Sequence, residues 1–334
     1  MKAIVCTRYG KTEAVVALAD RPVPEVRPSD VLVEIHAASV NPIDYKLHQG
    51  SMKAIRRFEF PLTLGYDLSG VIKQVGSAVQ NFKVGDEVFS RVDTFRFGTF
   101  AEYIAVDEKY LAAKPANVSH QQAAAVPLVA LTTWQALVTT AQLQVGQKVL
   151  IHAGAGGIGS IAIQIAKALG AYVITTTSTK NVDFVTSLGA DQVIDYTQQS
   201  FDQVCKDVDV VFETLGGDNQ TKSFQVLRPG GILVSIVGIP SPQWARDEGL
   251  PFFMPWLFGI MNRKNHALAR KHKARFEPVM LQPEGKHLAL IGQLITDGKL
   301  KPVIDKVFPL EDTAKALLYS QSGRAKGKIV IGVK

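Results

Sequence analysis

Cysteine is nearly absent: the 334 residues hold only Cys6 and Cys205. That is too few for a disulfide framework or a cysteine-rich zinc lobe, and it suits a reducing compartment. No long hydrophobic run occurs. The most apolar stretch, 250–261, is broken by Pro251, Pro255 and Gly259, whereas a bilayer span needs about 20 apolar residues. The N-terminus, MKAIVCTRYGK, alternates like a first strand and lacks the apolar centre of a signal peptide. The cytoplasm is therefore the expected compartment, with no membrane partner. There is no low-complexity tract or solenoid repeat. A net charge of +7, with 46% hydrophobic and 20% charged residues, fits a mildly basic globular protein with an anionic ligand. Segment 263–275 carries six Lys/Arg and no acid. It reads as a solvated helix face and lacks the interleaved aromatics that stack on bases, so no nucleic-acid partner is expected.

What is present divides into two patterns, as a chain of this length allows. Up to residue 110 the sequence reads as short strands and turns: strands at 31–37 and 70–75, a turn at Gly76-Ser77, then turn and strand at 84–88 and 98–106. Such punctuation predicts a barrel-like β domain. Residues 120–141 are Ala-rich and helical. Strands at 149–152, 172–177, 192–196, 208–213 and 232–237 then alternate with helices at 160–169, 182–188 and 220–227, predicting a parallel sheet with helices on both faces. A further helix is expected at 284–296. The tail, 301–333, returns to β pieces around a helix at 311–321 and is expected to fold back onto the first domain. Segment 276–281 reads as an exposed edge strand of the parallel sheet. An unpaired edge invites a second chain, and two such edges around a two-fold axis would make a homodimer.

The most informative motif is Gly154-Ala-Gly156-Gly157-Ile158-Gly159, a G-x-G-x-x-G between an apolar strand and an amphipathic helix. That setting is the one the dinucleotide fingerprint requires. The glycines permit the tight turn, the approach of a pyrophosphate and close helix–strand packing, while the helix N-terminus presents N–H groups to phosphate. An NAD site places an acid about 20 residues further on, to bind the ribose 2′-hydroxyl. Here that place reads Thr175-Thr176-Thr177-Ser178-Thr179-Lys180. It has no carboxylate to repel a 2′-phosphate, a hydroxyl at Ser178 and a cation at Lys180. NADPH is the expected cofactor, with Thr177 and Tyr196 at strand ends nearby and Leu215 after the strand 208–213.

The glycine loop, Gly98-Thr-Phe-Ala-Glu-Tyr103, Leu131-Thr-Thr-Trp-Gln135 and Asn41-Pro-Ile-Asp44 together resemble the medium-chain dehydrogenase/reductase superfamily over nearly the whole chain. They are most similar to its zinc-independent quinone and enone oxidoreductases. The resemblance implies an α/β fold: a GroES-like β-barrel catalytic domain from 1–121 and 286–334, and a Rossmann doubly wound parallel sheet from 122–285. It also implies an active site in the cleft between them. The zinc enzymes of the superfamily use Cys where this chain has Asn41, and a His–Glu pair where it has Tyr66-Asp67. Amide and phenol are poor replacements for thiolate and imidazole, so no metal is expected.

Without a Lewis acid, conjugate reduction suits the residues better than alcohol oxidation. Charge that develops on the carbonyl oxygen needs a donor or cation, and the resemblance points to Asn41, Lys46 and Tyr66. An Asn-Pro-x-Asp-x-Lys pattern is similar to the alkenal/enone branch. The same residues also read as a helix start, with Asn41 as N-cap, Pro42 at N1 and Asp44 as cap partner. The resemblance further implies nicotinamide contacts from Thr132, Gly238 and Ile239, and cofactor contacts from Arg324, Gly327 and Lys328. The expected reaction is NADPH-dependent reduction of the C=C of an enone or enal. The alternatives are an NADPH:quinone reductase, or a crystallin-like NADPH-binding structural or RNA-binding protein. The stretch 250–261, with three Phe, one Trp and two Met, is expected to wall the substrate cleft, to pack in a subunit contact or core helix, or, with the basic run 263–275, to anchor at a membrane surface.

Overall fold

The computed structural model describes residues 1–53 and 57–334. The chain forms two compact units, Met1–Leu131 with Gln282–Lys334, and Thr132–Leu281. In chain order the strands of the first unit begin with β1 (Lys2–Cys6), β2 (Val16–Asp20), β3 (Asp30–Val40), β4 (Leu62–Thr63), β5 (Asp67–Val75), β6 (Glu87–Arg91), β7 (Tyr103–Asp107) and β8 (Leu111–Ala113). The second unit holds β9 (Lys148–Ile151), β10 (Tyr172–Thr177), β11 (Gln192–Asp195), β12 (Val208–Glu213), β13 (Leu227–Ser235) and β14 (Arg275–Pro278). The tail adds β15 (Ile304–Pro309) and β16 (Lys328–Gly332) to the first unit.

In the first unit a sheet runs β15-β16-β3-β5-β6-β8, with β7 also on β3, beside a small sheet β2-β1-β4. β3 is long because apolar residues recur over its whole length and both neighbours cover it; Val31, Val33, Ile35, Ala37 and Ala38 are all buried. The tail returns as the sequence pattern predicts: β16 pairs antiparallel with β3, Ile329 opposite Val40. That closure carries Lys328 to the start of the helix Pro42–His48. Residues 122–131, which the Ala-rich pattern assigns to the second domain, group with the first. The short helix His120–Ala124 packs on β3 and β5, and its Ala124 and Ala125 are buried with Ala37 and Val330. Composition changes before the fold does.

The second unit is a parallel sheet of order β11-β10-β9-β12-β13-β14. Chain order reverses between β9 and β12, which puts a topological switch point beyond their C-terminal ends. Buried Val149, Ile151, Val173, Val210, Phe212 and Val234 form its core with Ala162, Ile163 and Ala166 of the helix Gly157–Ala168. β14 is the terminal strand, four residues long and shorter than the segment 276–281 read as a strand. Pro278 ends it, because proline has no N–H to offer a ladder.

Candidate functional site: a nucleotide edge and a buried polar network

β9 ends at Ile151 and the chain turns through the glycines into the helix Gly157–Ala168. Two of these glycines are forced by packing. A Cβ on Gly154 would lie 2.2 Å from Thr175 Oγ1, and one on Gly159 would lie 2.3 Å from the Ala153 carbonyl oxygen. Gly156 has more room, 3.3 Å, and serves as N-cap without any side chain to cap the helix. The first intrahelical bond goes from Ser160 N–H to the Gly156 carbonyl, so the N–H groups of Gly157, Ile158 and Gly159 have no helical acceptor. N–H groups left open at a helix start are the kind of donors that receive a phosphate.

A cleft of about 500 Å³ lies along the same sheet edge, lined by His152, Ala153, Thr176, Tyr196, Gln199, Ser200, Phe201, Leu215 and Asn219. Tyr196 N–H donates to the Thr177 carbonyl, which joins the ends of β10 and β11 and brings Ser178, Lys180 and Tyr196 to one neighbourhood. Lys180 and Tyr196 are exposed and Ser178 half-buried. Gly238, with φ +97° and open space at its Cβ position, and Ile239 follow the end of β13. Thr132 is buried on the helix Pro127–Trp134. A dinucleotide phosphate chain therefore fits this edge.

Sequence reading missed three residues here. His152 is buried, its Nε2 3.0 Å from Ser223 Oγ and its Nδ1 3.3 Å from Thr176 Oγ1. Burial pushes this imidazole below its ordinary value, so it is neutral at pH 7. Glu213, fully buried, accepts from the N–H groups of Leu215 (2.6 Å) and Gly216 (2.8 Å) and from Ser223 Oγ (3.2 Å). It thereby shapes the turn that places Leu215 on the cleft. Nothing in the spacing of His152, Glu213 and Ser223 signals their meeting, because three different elements bring them together. The third is Asp195, opposite Thr177 in the β10–β11 register. It is a carboxylate beside the expected 2′-phosphate position, on a neighbouring strand where a search along β10 alone does not look. It accepts from Thr179 Oγ1 (2.5 Å), Thr197 N–H (2.9 Å) and Thr197 Oγ1 (2.7 Å). Those bonds hold it below the usual carboxylate range.

The first unit carries the other candidates. Asn41 caps the helix Pro42–His48 with Asp44 as its reciprocal partner and Pro42 at N1. Its side chain is saturated from within. Nδ2 donates to Asp67 Oδ2 at 2.9 Å, and Oδ1 accepts from Lys328 Nζ at 2.5 Å. Asp67 is fully buried and also accepts from Ser39 Oγ and from Leu128 N–H, both at 2.9 Å. Lys328 Nζ completes its set with the Val40 carbonyl at 3.0 Å and lies 3.7 Å from Asp67. Tyr66 is 1% exposed, with the Arg91 guanidinium 4.7 Å over its ring. Burial pushes its phenol further above its ordinary value, so it stays protonated.

These positions alter two expectations. Lys328 does not present a free ammonium: it donates to the Val40 carbonyl and Asn41 Oδ1 and is ion-paired with Asp67 at 3.7 Å, so it positions Asn41. Asn41 and Tyr66 are interior groups, and only Lys46 of the three catalytic candidates is exposed to solvent. Asp44 is more than a cap. Its Oδ2 accepts the Asn41 N–H at 2.7 Å, while its buried Oδ1 has no partner among the described residues. Burial pushes this carboxyl up to about 8, so it is largely protonated at neutral pH. Arg324 is exposed after the helix Thr313–Gln321, and Gly327 is buried at φ +86°, where a Cβ would lie 2.6 Å from Val303.

The stretch 250–261 forms a turn and the helix Met254–Met261. Phe252 and Trp256 are 94% and 71% exposed. These two side chains are therefore not core, while Met254 and Phe258 of the helix are buried.

Comparison with known proteins agrees with this geometry. The pattern of an alcohol dehydrogenase GroES-like domain matches residues 27–116, and that of a zinc-binding dehydrogenase matches residues 188–331. The chain is 36% identical over 341 residues to the NADPH-dependent alkenal/one oxidoreductase, chloroplastic, of Arabidopsis thaliana, covering 99% of this chain and 79% of that protein. It is 34% identical to the 2-methylene-furan-3-one reductase of Solanum lycopersicum, with the same coverage. The solved quinone oxidoreductase from Coxiella burnetii superposes with a TM-score of 0.85 at 33% identity, covering 100% of this chain and 99% of that one. One of the matched patterns is named for zinc; at Asn41, Tyr66 and Asp67 this chain carries an amide, a phenol and a carboxylate. Among the described residues no group of three or more His, Cys, Asp or Glu could hold a metal ion. Around Asn41 and Asp67 the chain's own ammonium, Lys328, already supplies the cation. The chain belongs to the medium-chain dehydrogenase/reductase superfamily, in its quinone and alkenal/enone oxidoreductase branch.

Proposed function

We propose that this protein is a zinc-independent, NADPH-dependent reductase of the C=C bond of small α,β-unsaturated carbonyl compounds. The observation that carries the reading is the nucleotide edge: an uncapped helix N-terminus behind packing-forced glycines, with Ser178, Lys180 and Tyr196 grouped at the neighbouring strand ends. The relatives named for alkenal/one and furanone reduction support the substrate class. When bound, NADPH would supply the hydride for the β carbon. Lys46 is the cation for the developing enolate oxygen and relays the proton to the α carbon. Asn41, held from both ends of its amide, keeps the helix that carries Lys46 in place. Thr132, Gly238 and Ile239 hold the nicotinamide. The protein works as a homodimer through the β14 edge, in a reducing compartment such as the cytoplasm, where the free thiols Cys6 and Cys205 persist.

A quinone is the second substrate class, favoured by the Coxiella burnetii neighbour. NADPH oxidation measured with matched enals, enones and benzoquinones decides between them. A higher kcat/KM for the enones, reduced in Lys46→Ala with NADPH binding unchanged, is the expected result. Turnover of quinones alone, or one tightly bound zinc per active chain, overturns the reading.

A further inference from the structure

The residues from Phe252 to Met261 turn an apolar face outward. Phe252, Phe253, Trp256, Leu257, Ile260 and Met261 are 94, 50, 71, 37, 41 and 49% exposed. The opposite side is anchored by buried Met254 and Phe258. The junction with the next helix, Arg263–Lys271, is fixed: the buried Asn262 amide donates to the carbonyls of Pro240 (3.0 Å) and Ile239 (3.4 Å). Beyond it, exposed Arg263 and Lys264 open that helix, with exposed Arg270 and Lys271 seven residues on, a spacing that keeps them on one helix face. Buried Ala269 and half-buried Leu268 hold this second helix on the core with Phe276, so its basic face stays outside. None of these four cations is ion-paired to an acid among the described residues.

We propose that this surface docks the protein on an anionic lipid bilayer. The apolar face of Phe252, Phe253 and Trp256 lies among the acyl chains, and Arg263, Lys264, Arg270 and Lys271 lie at the headgroups. An amphipathic segment that lies in the interface needs no span, and no helix here is long and apolar enough to cross a membrane. The expectation of no membrane partner rests on spans, which an interfacial segment does not need. Charge selects lipid over a second copy of the chain. A two-fold contact sets a patch against itself and would oppose two unneutralised basic rows, whereas an anionic headgroup layer is complementary to them.

The test is co-sedimentation of the full chain with vesicles of phosphatidylcholine, with and without phosphatidylglycerol. Binding to the anionic vesicles should exceed binding to neutral ones at least about tenfold and weaken with salt. Trp emission should shift to the blue on binding, and not in Trp256→Phe. Trp256→Ser and the pair Arg263→Glu/Lys264→Glu should each lower vesicle binding about tenfold or more, with melting temperature and NADPH oxidation unchanged. Absence of vesicle binding overturns the proposal. So does a Trp256→Ser protein that binds vesicles normally but sediments as a smaller assembly, which makes the patch a subunit contact. A Trp256→Ser protein altered only in enone kcat/KM overturns it in favour of a substrate wall. Failure of the enone assay leaves the vesicle result untouched.

Discussion

The buried network of the first unit and the nucleotide edge of the second treat polar groups in opposite ways. Around Asn41, Asp67 and Lys328 the side-chain donors and acceptors are answered from within the unit. At the edge, the N–H groups of Gly157, Ile158 and Gly159 lack helical acceptors, Gly156 offers no cap, and Lys180 stands in solvent. Backbone groups left open mark where an anion is received, because an unanswered N–H costs little while water can reach it. Groups closed on one another hold shape. Asp44 Oδ1 is the exception in the closed cluster, and it survives burial because the carboxyl keeps its proton.

Opening the closed cluster should have the largest effect. Lys328→Met removes the only cation within 4 Å of buried Asp67 among the described residues and should cost about 3–5 kcal/mol in denaturant unfolding. The loss should shrink at low pH, where Asp67, whose pKa burial already raises, takes up a proton. An unfolding midpoint unchanged at pH 7 would mean that the network does not hold the unit. Closing the open edge comes next. Gly159→Ala drives a Cβ to within 2.3 Å of the Ala153 oxygen, and NADPH binding measured by calorimetry should weaken about a hundredfold.

Two smaller effects sharpen the contrast. Lys180→Ala should raise the KM for NADPH about tenfold and leave NADH turnover unaltered. An equal effect on both nucleotides would remove Lys180 from the 2′-phosphate. Asp44→Asn keeps a cap partner and removes the titration. In the wild type the folded carboxyl, near 8, holds a proton that the unfolded one releases near 3.8. Stability therefore falls as pH rises from about 4 to 8. The variant should flatten that slope and melt higher than wild type at pH 8, by about 1 kcal/mol or more.

Much of this was legible in one dimension because its causes are local. Alternating strands and helices, the glycines that a strand–turn–helix demands and the missing acid after Thr175 all act within a few residues of themselves. So the parallel sheet, the helix after Gly156 and the basic helix 263–271 follow from pattern. The boundary near 122 did not, because an Ala-rich helix carries no label for the surface it will cover. Nor did Asp195 beside Thr177, which only the strand register brings there.

Local pattern in the chain fixes the class of fold and the kind of ligand: periodicity builds the elements, and glycine spacing shapes a phosphate cradle. Which groups are free to act depends on packing. Lys328 sits 287 residues from Asn41 in the chain, yet its ammonium meets that amide, because β16 closes onto β3. His152, Glu213 and Ser223 join under the cleft only when three elements pack. The exposure of Trp256 and its neighbours, too, is set by what the fold fails to cover. Burial and partnership belong to the packed chain, and no stretch of sequence carries them alone.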